Sequence, residues 1–331
     1  MIRNATCALV LLAMPTPVLA WGADGHRMIG ELALQSLPTT LPAFLRTAAA
    51  AREVGYLAPE ADRIRGAGPV QDRERDPAHF VDVYDDGSVM GGPPLKSLPP
   101  TREEFDTALR AAGQSQYKAG YLPYEMIGGY ELVRKTMALW RLAVAGARFA
   151  PTAAERARYG ADRPRREARV LAAIGLWSHF VGDGSQPLHA TIHYNGWGDF
   201  PNPQGFTTER IHTPFESAYV STNLAPSMVR AAMPALKDCA CTINERVSAY
   251  LGAGFEQVVP LYTLEKRGAF RAATGEGMHF ATGQLARGAA ELRDLVVMAW
   301  KDSDNAMVGY PAVKITALES GGAAAFKSFR E

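Results

Sequence analysis

Cysteine is scarce in this sequence: Cys7, Cys239 and Cys241 are the only three in 331 residues, too few for a disulfide framework. Cys239 and Cys241 are separated by one residue, which is poor geometry for an unstrained bridge. Stability is therefore expected from packing, with metal as the one addition the residues suggest. An excess of one charge sign is missing too, since 35 Lys and Arg face 34 Asp and Glu. That balance excludes nucleic-acid binding driven by whole-protein charge, although not a local basic lip beside a site. The apolar run Ala8 to Ala13 is too short, and too closely followed by Pro15 and Pro17, to span a bilayer. Internal repeats and sustained period-two alternation are also absent, which argues against a sheet.

What remains is helical period almost everywhere. Apolar spacing predicts helices over 25–37, 124–148, 164–182, 226–236, 242–266 and 277–301. Thr101 with Glu104 forms a capping box for a helix through about Ala112, and Pro164 suits a first turn. Asp24 suits the cap of the first helix. The Pro/Gly-rich stretches 86–100 and 194–206 read as loops. Residues 303–331 turn small and irregular and read as a loosely held tail. The expected architecture is a single all-α, multi-helix domain over residues 21–302.

The amino terminus has the form of an export signal. Met1-Ile2-Arg3 is positive, an apolar core follows, and Val18-Leu19-Ala20 supplies a cleavage site. Processing after residue 20 takes Arg3 and Cys7 away, equalises the charges, and leaves no transmembrane segment in a chain that is secreted or periplasmic. It also exposes the amine of Trp21, which with its own carbonyl can chelate a metal; His26 follows five residues later.

Metal-binding residue types recur at ordered spacings. His179 and Asp183 lie four apart on one helical face, with His189 just past Pro187. Histidine nitrogen and carboxylate oxygen together suit zinc. Asp62 stands in Pro-Glu-Ala-Asp-Arg-Ile-Arg and His79 in Pro-Ala-His-Phe-Val-Asp. His212 and Glu216 repeat the four-residue spacing, with Pro214 tolerable only in a first turn. Five of the seven histidines belong to these clusters, which points to a multinuclear metal site. His193 and His279 lack such partners and read as loop and helix-surface residues.

The Trp-x4-His start, Asp-x2-Arg, His-Phe-x-Asp, His-x3-Asp-x5-His and His-x3-Glu resemble the trinuclear zinc phosphodiesterases. That superfamily joins single-strand-specific nucleases to bacterial zinc phospholipase C. The resemblance implies three zinc ions. Asp62, His79, His179 and Asp183 would hold the first, and His189, His212 and Glu216 the second. The Trp21 amine and carbonyl with His26 would hold the third, bridged to the first by Asp183. It further implies in-line attack on phosphorus by a hydroxide shared between zinc ions. Asp62 would orient that nucleophile and Arg65 would neutralise a phosphate oxygen. Phe80 would stack a base whose edge bonds to Asp82.

The ester is left open between two substrates. Glu216 in place of a second aspartate, and Pro-Gln-Gly-Phe at 203–206, lean toward phospholipid cleavage. The short Trp21–His26 gap, the long His189–His212 gap and Asp62-x2-Arg65 lean toward a nuclease acting on single-stranded DNA or RNA, with possible 3′-nucleotidase activity. The loop holds Asn195-Gly196-Trp197-Gly198 where many such nucleases carry Gly-Gly-Asn. A secreted zinc-binding helical protein without turnover is the third reading. No feature points to a stable protein partner.

Overall fold

The computed structural model describes residues 21–273 and 275–329, so the expected leader, residues 1–20, lies outside the described residues. In chain order come helices α1 (Gly22–Gln35), α2 (Ala48–Leu57), α3 (Glu60–Arg63), α4 (Pro69–Arg75) and α5 (Arg102–Ala111). Next are α6 (Gln116–Ala119), α7 (Leu122–Phe149), α8 (Ala153–Asp183), α9 (Val220–Asn223) and α10 (Pro226–Ala232). The chain closes with α11 (Ile243–Phe255), α12 (Val258–Lys266), α13 (Gly275–Asp302) and α14 (Ile315–Ser328). Among the described residues the only strands are β1 (Met307–Val308) and β2 (Val313–Lys314), a two-residue antiparallel pair. The protein is all-α.

Helix boundaries follow caps and prolines. Thr101 and Glu104 do form a capping box at the start of α5. An equivalent box, Thr152 with Glu155, opens α8 eleven residues ahead of the expected start, so Pro164 sits inside the helix instead of its first turn. The break is tolerated because Pro164 and Gly160, whose carbonyl the proline cannot serve, are both exposed to water. The expected helix 242–266 is two helices, since Pro260 fits only the first turn of a new one. Helix α10 stops at Ala232, short of Pro234. Helix α1 begins at Gly22, which places Asp24 in its first turn, paired with Arg27, and not at its cap.

Helices α7 and α8 form a long antiparallel pair, closed by Trp177, whose indole donates to the Met126 carbonyl. Gly129 gives that indole room, since a Cβ there would lie 1.9 Å from the ring. Helices α1 and α13 pack against this pair and bury Ile29, Leu32, Leu285, Leu292 and Val296 in the main core.

A second core stands at the far end of the pair. There Ile315, Leu318 and Phe326 of α14 meet Leu142, Ala145 and Tyr159. Arg141 adds an ion pair to Glu319 at 3.2 Å. The expectation of a loose tail over 303–331 is thus corrected for the described part. Its small residues let α14 lie close, and its few large apolar ones fill a cleft that only the folded pair creates. Cys239 and Cys241, whose oxidation state their spacing leaves open, are joined as a disulfide. From Tyr159 to Asp183 helix α8 runs roughly 35 Å at 1.5 Å per residue, so the second core is remote from the helix end that carries His179 and Asp183.

Candidate metal centre

Five segments bring donors to the carboxyl end of α8. His179 and Asp183 occupy its last two turns, and His26 comes from the second turn of α1. Asp62 lies in α3, and His79 and His189 end two short 3-10 turns, Asp76–His79 and Pro187–His189. Glu216 sits on a π-helical turn, Pro214–Tyr219, entered from His212, so Pro214 does fall in a first turn. Single π-turns of this kind concentrate at functional sites. Asp62 is half-buried; the other seven are buried.

The donor atoms fall into three groups, each within 4.8 Å internally: His26, His179 and Asp183; Asp62, His79 and His179; His189, His212 and Glu216. Asp183 stands among four imidazoles. Its Oδ2 is 3.1 Å from His79 Nδ1 and 3.4 Å from His179 Nε2. Its Oδ1 is 3.5 Å from His26 Nε2 and 3.6 Å from His189 Nδ1. His79 Nδ1 and His179 Nε2 face each other at 2.9 Å, and His189 Nε2 and His212 Nε2 at 3.0 Å. Glu216 Oε2 lies 2.8 Å from His212 Nε2.

Outer partners fix these rings. His179 Nδ1 is 2.9 Å from the Ala58 carbonyl, and His189 Nδ1 is 2.6 Å from that of His79. Each bond leaves the opposite nitrogen directed at the cluster, the arrangement metal-binding histidines ordinarily have. Gly182 admits the His26 ring, because a Cβ there would come within 2.8 Å of Nδ1. Trp21 is fully buried, and its indole donates to Ser185 Oγ at 2.7 Å. The carbonyls of Gly184 and Ser185, just past the end of α8, accept from Arg287.

The electrostatics show what the donor set fits. Burial pushes His79 and His179 well below the ordinary imidazole range, so both are neutral with a lone pair to give. Burial, then Asp62 and Glu216, pushes Asp183 well above the usual carboxylate range. Burial also raises Asp62 to about 7, although Arg65 opposes it. Glu216 goes the other way: burial raises it, but His212 and His189 outweigh that and hold it at about 2. Buried Asp183 Oδ1, Glu216 Oε1 and His212 Nδ1 have no hydrogen-bond partner among the described residues. Neutral imidazoles crowding carboxylates that each keep one buried oxygen without a hydrogen bond match a divalent cation, and nitrogen with oxygen matches zinc.

No protein-family model matches this sequence, and no curated protein does. Among solved structures the chain is similar to the alpha-toxin of Clostridium perfringens from avian strain SWCP. That similarity covers 87% of this chain and 68% of the toxin chain, at 12% identity and a TM-score of 0.38. No helix among the described residues is long and apolar enough to cross a membrane.

A pocket of about 370 Å³ opens beside the centre, lined in part by His79, His189, His212, Arg65, Phe80 and Asp82. Arg65 is anchored by Asp76 at 2.9 Å, with Asp62 at 3.5 Å. Asp82 is raised to about 8 by burial alone. Two wall residues, Lys118 and Tyr194, carry no sequence signal, since neither belongs to a metal motif. His193 differs from its reading as an unpartnered loop residue. It is buried, lies 3.0 Å from Asp85 Oδ1 and stacks on Trp197 at 3.7 Å, bracing the 194–206 loop. His279 is exposed on α13.

Proposed function

We propose that this protein is an exported, zinc-dependent phosphodiester hydrolase that cuts single-stranded DNA or RNA to 5′-phosphorylated products. The observation that carries the reading is the pocket: a recess with one wall of metal-type donors and another of Phe80, Tyr194 and Asp82. Phe80 and Tyr194 offer flat faces to a base, and a protonated Asp82 offers both a donor and an acceptor to its edge.

Asp62, His79, His179 and Asp183 would hold one zinc, His189, His212 and Glu216 a second, and Trp21 with His26 and Asp183 a third. Zinc bound there supplies Lewis acidity toward a phosphate and lowers the pKa of water toward neutrality. The chain's own groups orient and neutralise. Asp62 would accept a hydrogen bond from the attacking nucleophile and align it. Arg65, braced by Asp76, presents its guanidinium to a non-bridging phosphate oxygen. Leu188 adds an apolar surface to the same pocket.

Phospholipid cleavage is the second reading, favoured by Ile64, the chain neighbour of Arg65, and Val70, which are 41% and 70% exposed. Zinc-loaded protein offered single-stranded DNA and phosphatidylcholine side by side decides: lipid cleavage without nucleotide release overturns the nuclease. Fewer than two tightly bound zinc ions per chain would instead favour a protein without turnover.

Two further outcomes are expected. A chain keeping one extra residue ahead of Trp21 should bind two zinc ions where the processed chain binds three; three in both would remove Trp21 from the site. For Asp82, the carboxyl is neutral below about pH 8 and loses its donated proton above it. KM for an oligonucleotide should therefore climb above that pH. Asp82→Asn should abolish the climb while changing KM at pH 7 only about three-fold, and an unaltered alkaline limb in the variant would exclude Asp82 from base binding.

A further inference from the structure

A second recess, of about 600 Å³, adjoins the pocket at the metal centre and shares Asp76, Phe80 and Lys118 with it. Tyr117, 40% exposed, and Arg73 complete the chemically active part of its wall. Three acids also line it, but each is already engaged. Asp76 accepts from Arg65, Asp72 accepts from the Gly66 amide, and Glu74 accepts from the Tyr117 hydroxyl. The side chains of Arg73 and Lys118 have no ion pair or hydrogen bond among the described residues. Arg65 balances Asp76, Arg73 and Lys118 offset Asp72 and Glu74, and the two cationic side chains left uncommitted, Arg73 and Lys118, are the groups the recess offers to an anion beside an aromatic ring.

The recess is held rigidly to the site. The Asp82 amide donates to Ala119, that of Tyr121 to Pro77 and that of Leu122 to Phe80, at 2.7, 2.7 and 3.1 Å. Gly120 permits this closeness: its φ is +78°, and a Cβ there would lie 2.1 Å from the Phe80 carbonyl oxygen. Tyr117 and Lys118 thus keep a fixed distance from the ring that lines both recesses.

We propose that this recess is a second nucleotide subsite, in which Tyr117 stacks the base next to the scissile link while Arg73 and Lys118 hold the flanking phosphate. The proposal rests on the nuclease reading and deepens it, since the preferred substrate becomes a strand of at least two nucleotides. A phospholipid headgroup carries no second ring or second phosphodiester to fill the recess. Stacking on an exposed ring and pairing with a backbone phosphate are the two contacts that single-strand grooves combine.

The test compares zinc-loaded wild type, Arg73→Gln, Tyr117→Leu and Tyr117→Phe on decathymidylate and on bis(p-nitrophenyl) phosphate, which reaches only the metal-side pocket. The ratio of kcat/KM for the decamer to that for the small diester should fall about ten-fold in Arg73→Gln and Tyr117→Leu. The loss should lie in KM, and Tyr117→Phe should retain the wild-type ratio because it keeps the ring. Arg73→Gln should also flatten the dependence of log KM on log salt by about 0.7. An unchanged ratio in both Arg73→Gln and Tyr117→Leu, or equal losses on both substrates, overturns the subsite and leaves the nuclease standing. Wild type that cleaves phosphatidylcholine and no decamer overturns the nuclease itself, a result read before any variant is made.

Discussion

Asp183→Asn is expected to reduce kcat/KM more than the loss of any other single donor, by on the order of a hundred-fold and upward. The reason is position: both oxygens of Asp183 lie within 3.6 Å of imidazole nitrogens, two on each side. Removing one partner of a buried charged set costs about 3 kcal/mol or more, and here the same side chain is proposed to serve two ions. Stability should move the other way in metal-free protein. Burial raises the Asp183 pKa well above its unfolded value, so the ionised form opposes folding at neutral pH. Asparagine mimics the protonated acid, so metal-free Asp183→Asn should melt no lower than metal-free wild type. Zinc content by atomic emission, kcat/KM and calorimetry together check the split. Near-wild-type turnover with full zinc content would contradict the bridging role.

Chelation is expected to lower Tm by about 10 °C or more, because a tightly held ion stabilises only the folded chain. Without a cation, the cluster's groups pull in opposite directions with pH. His79 and His179, depressed by burial, contribute stability that is lost as pH falls below the unfolded imidazole value of about 6.5. Asp62 and Asp183, raised by burial, oppose folding increasingly as pH rises above the unfolded carboxylate value of about 4. The metal-free protein should therefore lose stability on both sides of a narrow window, and zinc should widen it. Calorimetry from about pH 3 to 9, with and without chelator, reads this directly. A Tm that ignores chelation at every pH would mean that the donors fold around nothing.

The legible part of the site was its local part. His179 with Asp183 and His212 with Glu216 are pairs within one turn, so chain spacing alone implies their meeting. Asp62 and His79 sit in motifs whose neighbours were readable, yet their approach to α8 depends on how α2 and α7 pack against it. Lys118, Tyr194 and Arg73 had no signal, because a wall residue needs only to be present where the fold leaves a gap. The pairing of His193 is illegible for a similar reason: Asp85 lies 108 positions away, and burial makes that pairing worthwhile only after folding.

By itself the sequence determined the helical class, the capping box at Thr101 and the families of residues able to bind a metal, since these depend on period and on contacts within a few residues. Tertiary structure alone decided that α14 is docked, that Cys239 meets Cys241, and that one carboxylate, Asp183, stands between donors from α1, α8 and two turns. Those outcomes depend on burial and on distances across the fold. A helix can advertise which face is apolar, but not which other helix will cover it.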